Sequence, residues 1–457
     1  MLYYKDNFCA FKRGKDMFFF EAESNSLIIP HSEQVFESTL QYIKQNKENQ
    51  TLDTTSLIDE INFLFKQKQS KNFNTYKFLK KSHPTNKITL MLSQDCNLAC
   101  KYCYGDSGRY GSSGSIMSEK TAKEAIDFLI RNNGGVDNSF NITFFGGEPL
   151  LSRKLIFSIF EYCDSISIAK SITFKYSITT NGTLLSATLI KEFKKRNVTI
   201  LLSIDGPEEI HNKNRKYRNG KGTYNKIIKN INLLKKYNKS FSIRATVENE
   251  NFLQVLKNID FFIQLGAAQV HISNLSNYCD NCSDFPINID EISKLNEEFF
   301  KITNNIKKDF IQGKNPYYIP FLTALNKIHS TNKSLISCGF MKGTTAVSTS
   351  GDLYPCHRFV GLEGFDFGNI FSGIDTEKQR LICKSLDKAT ITCQKCFAKY
   401  ICARSCVRDI AKNNGQFITY PEEYCKLLRK NIVEYLLIYK EAKTLNPDLF
   451  NQYDSHC

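Results

Sequence analysis

Three thiols carry the first chemical signal in this sequence. Cys96, Cys100 and Cys103 stand in the run Cys96-Asn97-Leu98-Ala99-Cys100-Lys101-Tyr102-Cys103, directly after the apolar segment Ile88–Leu92. Three thiolates from one tight loop suit three irons of a cubane [4Fe–4S] cluster, leaving its fourth iron without a protein ligand. An open iron has little structural use but suits binding and reducing a substrate, much as an open zinc position signals catalysis. A zinc knuckle is the bland alternative, but no histidine lies near enough to complete one. A second group, Cys338, Cys356, Cys383, Cys393, Cys396, Cys402, Cys406 and Cys425, puts eight of the 16 cysteines in the last quarter of the chain. Chance would supply the three-thiol spacing about 0.02 times and the four-Cys run 393–406 about 0.0007 times.

The elements that must position these thiols can be read from periodicity. At 457 residues and 52.5 kDa the chain is long for one domain, and two to four are expected. Residues 1–80 read as a separate unit, with strands at Leu2-Tyr3-Tyr4, Met17 to Phe20 and Leu27-Ile28-Ile29. Helices are expected near 33–45 and 55–67, the latter capped by Asp53 or Thr54, before a polar linker at 67–87. From residue 88 short apolar strands (88–93, 140–145, 173–179, 199–204, 241–246, 269–273) alternate with amphipathic helices (118–132, 153–168, 186–196, 223–237, 252–264). Such repeats imply parallel strands, and six units imply a partial barrel with its chemistry at the C-terminal strand ends. Further helices are expected near 289–308, 320–331 and 421–442.

Composition narrows the partners. With 41% hydrophobic and 12% aromatic residues the chain can bury a core. Its start lacks a signal peptide's apolar stretch, and no run approaches the roughly 20 apolar residues of a membrane span, so a cytoplasmic, non-membrane protein is expected. The net charge of +15 comes from scattered lysines and arginines. That argues for an acidic peptide at least as well as for nucleic acid, and no nucleic-acid partner is expected.

Three further motifs close successive strands: Gly146-Gly147-Glu148-Pro149; Thr179-Thr180-Asn181-Gly182; and Ser203-Ile204-Asp205-Gly206-Pro207 with His211 and Arg215 downstream. Each alone could be an ordinary turn. Together with the thiol loop they resemble the radical S-adenosylmethionine (SAM) enzymes over roughly residues 88–430, in particular the subgroup that modifies peptides and sulfatases. The resemblance implies that Cys96, Cys100 and Cys103 hold the catalytic cluster and that Gly146, Gly147 and Glu148 meet the SAM amino group. It further implies that Thr180 and Asn181 contact the ribose, that Ser203 and Arg215 hold the carboxylate within the pattern containing Asp205, and that Tyr102 packs beside the adenine. Glycines let backbone approach a ligand closely, and the guanidinium fork matches a carboxylate.

The C-terminal pattern resembles the seven-cysteine SPASM extension, which houses two auxiliary [4Fe–4S] clusters. By that likeness Cys338, Cys356 and Cys406 serve one cluster, and Cys393, Cys396, Cys402 and Cys425 the other, three clusters in all with the first. The set at 338, 356 and 406 lacks a fourth cysteine, so an open iron or a ligand from Cys383, from Cys279 or Cys282, or from the substrate is implied; Cys9, Cys163 and Cys457 read as structural or incidental. The expected fold is α/β: a winged-helix-like peptide-recognition domain (1–80), a partial (β/α)6 TIM-like barrel (81–285), a helical bridge (286–337) and a Cys-rich SPASM domain (338–457). The implied partners are a ribosomal precursor peptide, its leader bound by residues 1–80, and a reductant such as flavodoxin or ferredoxin. The run Tyr354-Pro355-Cys356-His357-Arg358-Phe359-Val360-Gly361 resembles thioether-forming maturases of Cys-rich peptides. Other radical peptide modifications, carbon–carbon or ether cross-links and epimerisation, stay open, as does formylglycine formation in sulfatases. A non-catalytic electron relay would have no need of the SAM-contacting set.

Overall fold

The computed structural model describes residues 1–45, 74–81, 85–247, 255–274, 297, 301, 303–314, 318–330, 333–336, 338–341 and 343–450. The expected helix at 55–67, its caps, Cys279, Cys282 and Cys457 lie outside the described residues.

The chain opens with an antiparallel meander, β1 (Leu2–Lys5), β2 (Phe8–Arg13), β3 (Asp16–Glu21) and β4 (Ser26–Ile28), followed by the helix Glu33–Gln45. Four strands stand where three were expected. The missed one, β2, reads Phe-Cys-Ala-Phe and is buried on both faces, so it shows no polar alternation. Phe8, Ala10, Phe19 and Ile28 pack on Phe36, Leu40 and Ile43 of the helix. Cys9, Phe11, Phe18 and Phe20, on the opposite face, belong to the main core of the molecule. Residues 1–45 thus show strands and then a helix, the order read from the sequence, and the face bearing Cys9, Phe11, Phe18 and Phe20 packs into the main core.

Six parallel strands follow in chain order within one sheet: β5 (Lys87–Ser93), β6 (Ser139–Gly146), β7 (Thr173–Thr180), β8 (Thr199–Ser203), β9 (Ser242–Val247) and β10 (Val270–Asn274). The helices Glu119–Asn133, Arg153–Lys170, Ala187–Lys195, Tyr224–Lys236 and Val255–Gln264 alternate with them. This is the parallel sheet expected of a partial barrel. Along β6 the apolar Phe140, Ile142 and Phe144 are buried, Phe144 against Phe160 of a covering helix. The intervening Thr143 and Phe145 face the other way, Thr143 hydrogen-bonding Ser177 of β7 at 2.9 Å.

The free edge of β5 is not left open. β11 (Ala346–Val347) pairs with it in parallel and β12 (Leu353–Tyr354) folds back, making an eight-stranded sheet. Covering an edge in this way satisfies its backbone groups, and here it ties the Cys-rich module into the barrel sheet. The helices Ile319–His329 and Glu422–Leu445 match the expected ones, whereas Thr376–Ala389 and the short Glu208–Asn214 were not foreseen. No helix among the described residues is long and apolar enough to cross a membrane.

Candidate active site

A cavity of about 200 Å³ opens where β5 to β9 end, lined by Cys96, Cys100 and Cys103, by Gly146 and Gly147, and by Thr180, Asn181, Ser203 and Arg215. The thiol loop is fixed by backbone bonds to the segment after the fourth strand. Ala99 N–H donates to Lys216 O at 2.9 Å, Lys101 N–H to Asn214 O at 3.0 Å, and Leu98 bridges Tyr217. Asn181 ties the loop to β7, its amide donating to Asn97 at 3.0 Å while Asn97 donates to Thr183 at 2.9 Å.

The two glycines are needed for a reason beyond ligand approach. A Cβ on Gly146 would sit 2.3 Å from the Ser93 carbonyl oxygen, and one on Gly147 2.2 Å from that of Asp95. Backbone therefore packs on backbone here, and the glycines let the second strand end reach the thiol loop.

Glu148 and Asp205 do not line the cavity. Glu148 is fully buried and accepts from Leu150 N–H (3.0 Å), Thr180 Oγ1 (2.7 Å) and Asn181 N–H (2.8 Å), clamping two strand ends together. A carboxylate has about four acceptor positions, so one remains. Burial pushes the Glu148 pKa up to about 7 despite these donors. Because its folded pKa lies above the usual carboxyl value, this group stabilises the fold fully at low pH and loses that contribution as pH rises through about 7. Between pH 5 and 8 the SAM-free protein should lose up to about 3 kcal/mol relative to Glu148→Gln, read as urea midpoints of the two; parallel pH profiles would contradict the assignment. Saturating SAM should flatten the wild-type slope if its ammonium takes the free position.

Asp205 anchors the opposite wall. Its carboxylate accepts from Arg215 Nε at 2.9 Å, from Thr246 N–H at 3.0 Å and from the Tyr102 hydroxyl. Arg215 also stacks over the Tyr102 ring, 5.3 Å from its centroid. Asp205 N–H donates to His211 Nδ1, so Nε2 must carry the proton toward Thr223 Oγ1, which donates to Arg215 O. Burial, then Arg215, lowers the His211 pKa to about 4, which keeps this tautomer neutral.

The Cys-rich module reaches the same cavity through His357, Arg358 and Asp409. Arg358 donates to Cys406 Sγ at 2.6 Å and pairs with Asp409 at 3.1 Å. Cys406 lies near enough to Cys338 and Cys356 to raise the pKa values of both, Cys338 being the exposed member. Cys393, Cys396, Cys402 and Cys425 line a separate cavity of about 250 Å³. The structure thus groups the thiols as the two interlaced sets. Cys383 is buried against Met341 Sδ at 3.8 Å and does not line the second set's cavity. Cys9 and Cys163 are buried in the core.

The donor sets fit iron–sulfur clusters better than single ions. Among the described residues no three His, Cys, Asp or Glu side chains gather as one metal ion would require, whereas a cluster spreads its thiolates over several irons. Burial raises Cys100 and Cys425 to about 11 and Cys356 and Cys402 to about 12, so these thiols hold their protons until a metal displaces them. Cavity residues that sequence reasoning missed include Arg244, Thr246, Tyr104 and Tyr110. The available signal was alternation: Ser242, Arg244 and Thr246 are interleaved with apolar Ile243 and Ala245 along β9.

Residues 90–262 match the Radical SAM superfamily. An uncharacterized protein of Methanocaldococcus jannaschii is 31% identical over 276 residues, 60% of this chain and 86% of that protein. A cysteine-type anaerobic sulfatase-maturating enzyme of Clostridium perfringens is 28% identical over 366 residues, 75% of this chain and 94% of its own. The radical SAM cyclopropyl synthase TigE of Paramaledivibacter caminithermalis is 25% identical over 76% of this chain and 74% of its own. Two solved structures share the fold. anSMEcpe with bound AdoMet and the Cp18Cys peptide has a TM-score of 0.64 and 22% identity, covering 81% of this chain and 100% of that one. Streptococcus suis SuiB bound to the precursor peptide SuiA has a TM-score of 0.52 and 14% identity over 91% and 98%. The chain belongs to the radical SAM superfamily, and it is an enzyme related to sulfatase-maturating and peptide-modifying members.

Proposed function

We propose that this enzyme forms thioether cross-links, Cys sulfur to carbon, in a ribosomally made Cys-rich peptide. The observation that carries the reading is a shared wall: His357 and Arg358, the residues after Cys356, line the cavity that holds Cys96, Cys100 and Cys103. A polypeptide segment in this cavity would lie against the first thiol set and against His357 and Arg358, which directly follow Cys356 in the chain. Cys96, Cys100 and Cys103 would hold the SAM-binding cluster, Cys338, Cys356 and Cys406 one auxiliary cluster, and Cys393, Cys396, Cys402 and Cys425 the other. When bound, these groups supply one-electron reduction of SAM and a carbon radical able to take an unactivated hydrogen.

The chain's own residues orient and exclude. Arg215, its Nε held by Asp205, would turn the rest of its guanidinium toward Cys100 and a carboxylate. Phe145 packs on His357, ring centroids 4.2 Å apart, closing the cavity wall against water. Arg358 places a fixed cation beside Cys406, favouring its thiolate. The N-terminal sheet would bind the leader as an added strand, and a flavodoxin or ferredoxin in the cytoplasm would supply electrons.

Cys356→Ala should leave 5′-deoxyadenosine release measurable while cross-linked product falls by more than the roughly 10–100-fold that loss of an outer-shell partner costs. Mass spectrometry of a Cys-rich precursor encoded beside the gene reads this directly, and undiminished cross-linking would refute the reading. A second reading, oxidation of a sulfatase Cys to formylglycine, is favoured by the relatedness to sulfatase-maturating enzymes. The product separates the two: a thioether keeps the sulfur and loses two hydrogens, whereas formylglycine loses the sulfur.

A further inference from the structure

Three arginines, Arg215, Arg244 and Arg358, line the active cavity. Two of them are matched by acids: Arg215 with Asp205 at 2.9 Å and Arg358 with Asp409 at 3.1 Å. Arg244, projecting from β9, has no carboxylate partner among the described residues; the acidic groups that act on it there are Tyr104 and the Cys406 thiol. Beside it stands Tyr104, whose buried hydroxyl also makes no hydrogen bond of good geometry. Tyr110 is close to that hydroxyl, but its own proton goes to the Gly146 carbonyl at 3.3 Å. Arg244 and Tyr104 are near enough to shift each other's ionisation. The imidazoles that face Arg244 offer no counter-charge. An imidazole carries a positive charge or none, so neither His271 nor His357 can balance a guanidinium.

A guanidinium without a carboxylate and a hydroxyl without an acceptor, both lining one cavity, together suit an anion with acceptor oxygens. A phosphate would meet the same donors. A carboxylate, however, matches the guanidinium fork and a single hydroxyl with two oxygens, and the cavity is already committed to a polypeptide. Resting on the proposed peptide modification, we infer that the Arg244–Tyr104 corner binds a carboxylate of the substrate, an Asp or Glu side chain beside the residue being modified. The corner would then fix which stretch of a peptide lies against the radical-forming thiol loop, since Tyr104 directly follows Cys103. An acidic partner also agrees with the net charge of +15.

The same chemistry could come from the carboxylate of SAM itself, and the test separates the two sources. The cluster-loaded full-length protein, saturated with SAM, is titrated with N-acetyl-aspartate N-methylamide, its glutamate homologue and the isosteric asparagine compound, and binding is followed by saturation-transfer NMR. The wild type should bind at least one acid tenfold or more better than the amide. Arg244→Gln should remove that preference, Arg244→Lys should keep part of it because the charge stays while the fork is lost, and Tyr104→Phe should reduce it severalfold. If Arg244→Gln does not fold, Tyr104→Phe carries the test, since it removes only a hydroxyl. The SAM dissociation constant is measured for every variant. A large rise in that constant together with no acid preference assigns the corner to SAM and overturns the inference. Equal binding of acid and amide, or no binding of either, also overturns it. Release of 5′-deoxyadenosine by the same wild-type preparation is the internal check. Release without acid preference sinks this corner alone, while absence of release sinks the functional reading and the corner with it.

Discussion

Replacing Cys96, Cys100 and Cys103 together by Ala is expected to remove about four of roughly twelve irons per chain and to bring SAM cleavage below detection. The loss should be local. The loop is held by main-chain bonds from Ala99 and Lys101 to Lys216 and Asn214, by the Asn181–Asn97 contact, and by the Gly146–Gly147 backbone packed beneath it, none of which uses a thiol. The other two thiol sets lie in the Cys-rich module, one in its own cavity. The triple variant should therefore fold and retain about eight irons. Iron and sulfide analysis after anaerobic reconstitution, with chromatography for 5′-deoxyadenosine, reads both effects. Cleavage surviving in the triple variant would remove the catalytic role of the loop, and zinc in the C-terminal sets would remove the auxiliary clusters.

The second large effect concerns the joint between the N-terminal sheet and the Cys-rich module. Lys399 is almost fully buried and its ammonium is held by Glu23, by Asn7 Oδ1 at 3.0 Å and by Gln394 O at 3.0 Å. Glu23 also accepts from the Tyr400 hydroxyl at 2.8 Å. Removing one partner of a buried ion pair leaves the other charge uncompensated, at about 3–5 kcal/mol. Glu23→Ala should cost that much in a denaturant titration. It should also loosen iron at Cys393, Cys396, Cys402 and Cys425, whose cavity Lys399 lines. Outright deletion of residues 1–80 should do more, because Phe11, Phe18 and Phe20 pack into the main core. The unit read from sequence as separable is thus expected to be inseparable in practice. A soluble, stable deletion variant with normal iron content would contradict this.

How much was legible follows from where the information sits. The six parallel strands and their helices were readable because each strand has a helix-facing apolar side, as in Phe140, Ile142 and Phe144, and each helix has an amphipathic stripe. The thiol sets were readable because local spacing alone makes them improbable. β2 was not, because Phe8 to Phe11 are buried on both faces and lose the alternation that marks a strand. The true positions of Glu148 and Asp205 were also hidden. Motif chemistry could not show that their oxygens also accept from Thr180, Asn181, Arg215 and Thr246, contacts that exist only after the strand ends converge. Arg244 carried a faint signal, a cation in an otherwise mild strand, whose meaning depends on the absence of a carboxylate partner among the described residues.

The pairing of β11 with β5 has a temporal side. Thr89 and Ala346 are register partners 257 positions apart in the chain, and a ribosome adding roughly 5–20 residues per second needs on the order of 13–50 s to supply the second after the first. During that interval Leu90, Met91 and Leu92 sit on an unfinished sheet edge, an attractive seat for any other unpaired strand. The nascent barrel must therefore wait, partly built, for the segment that also delivers Cys356.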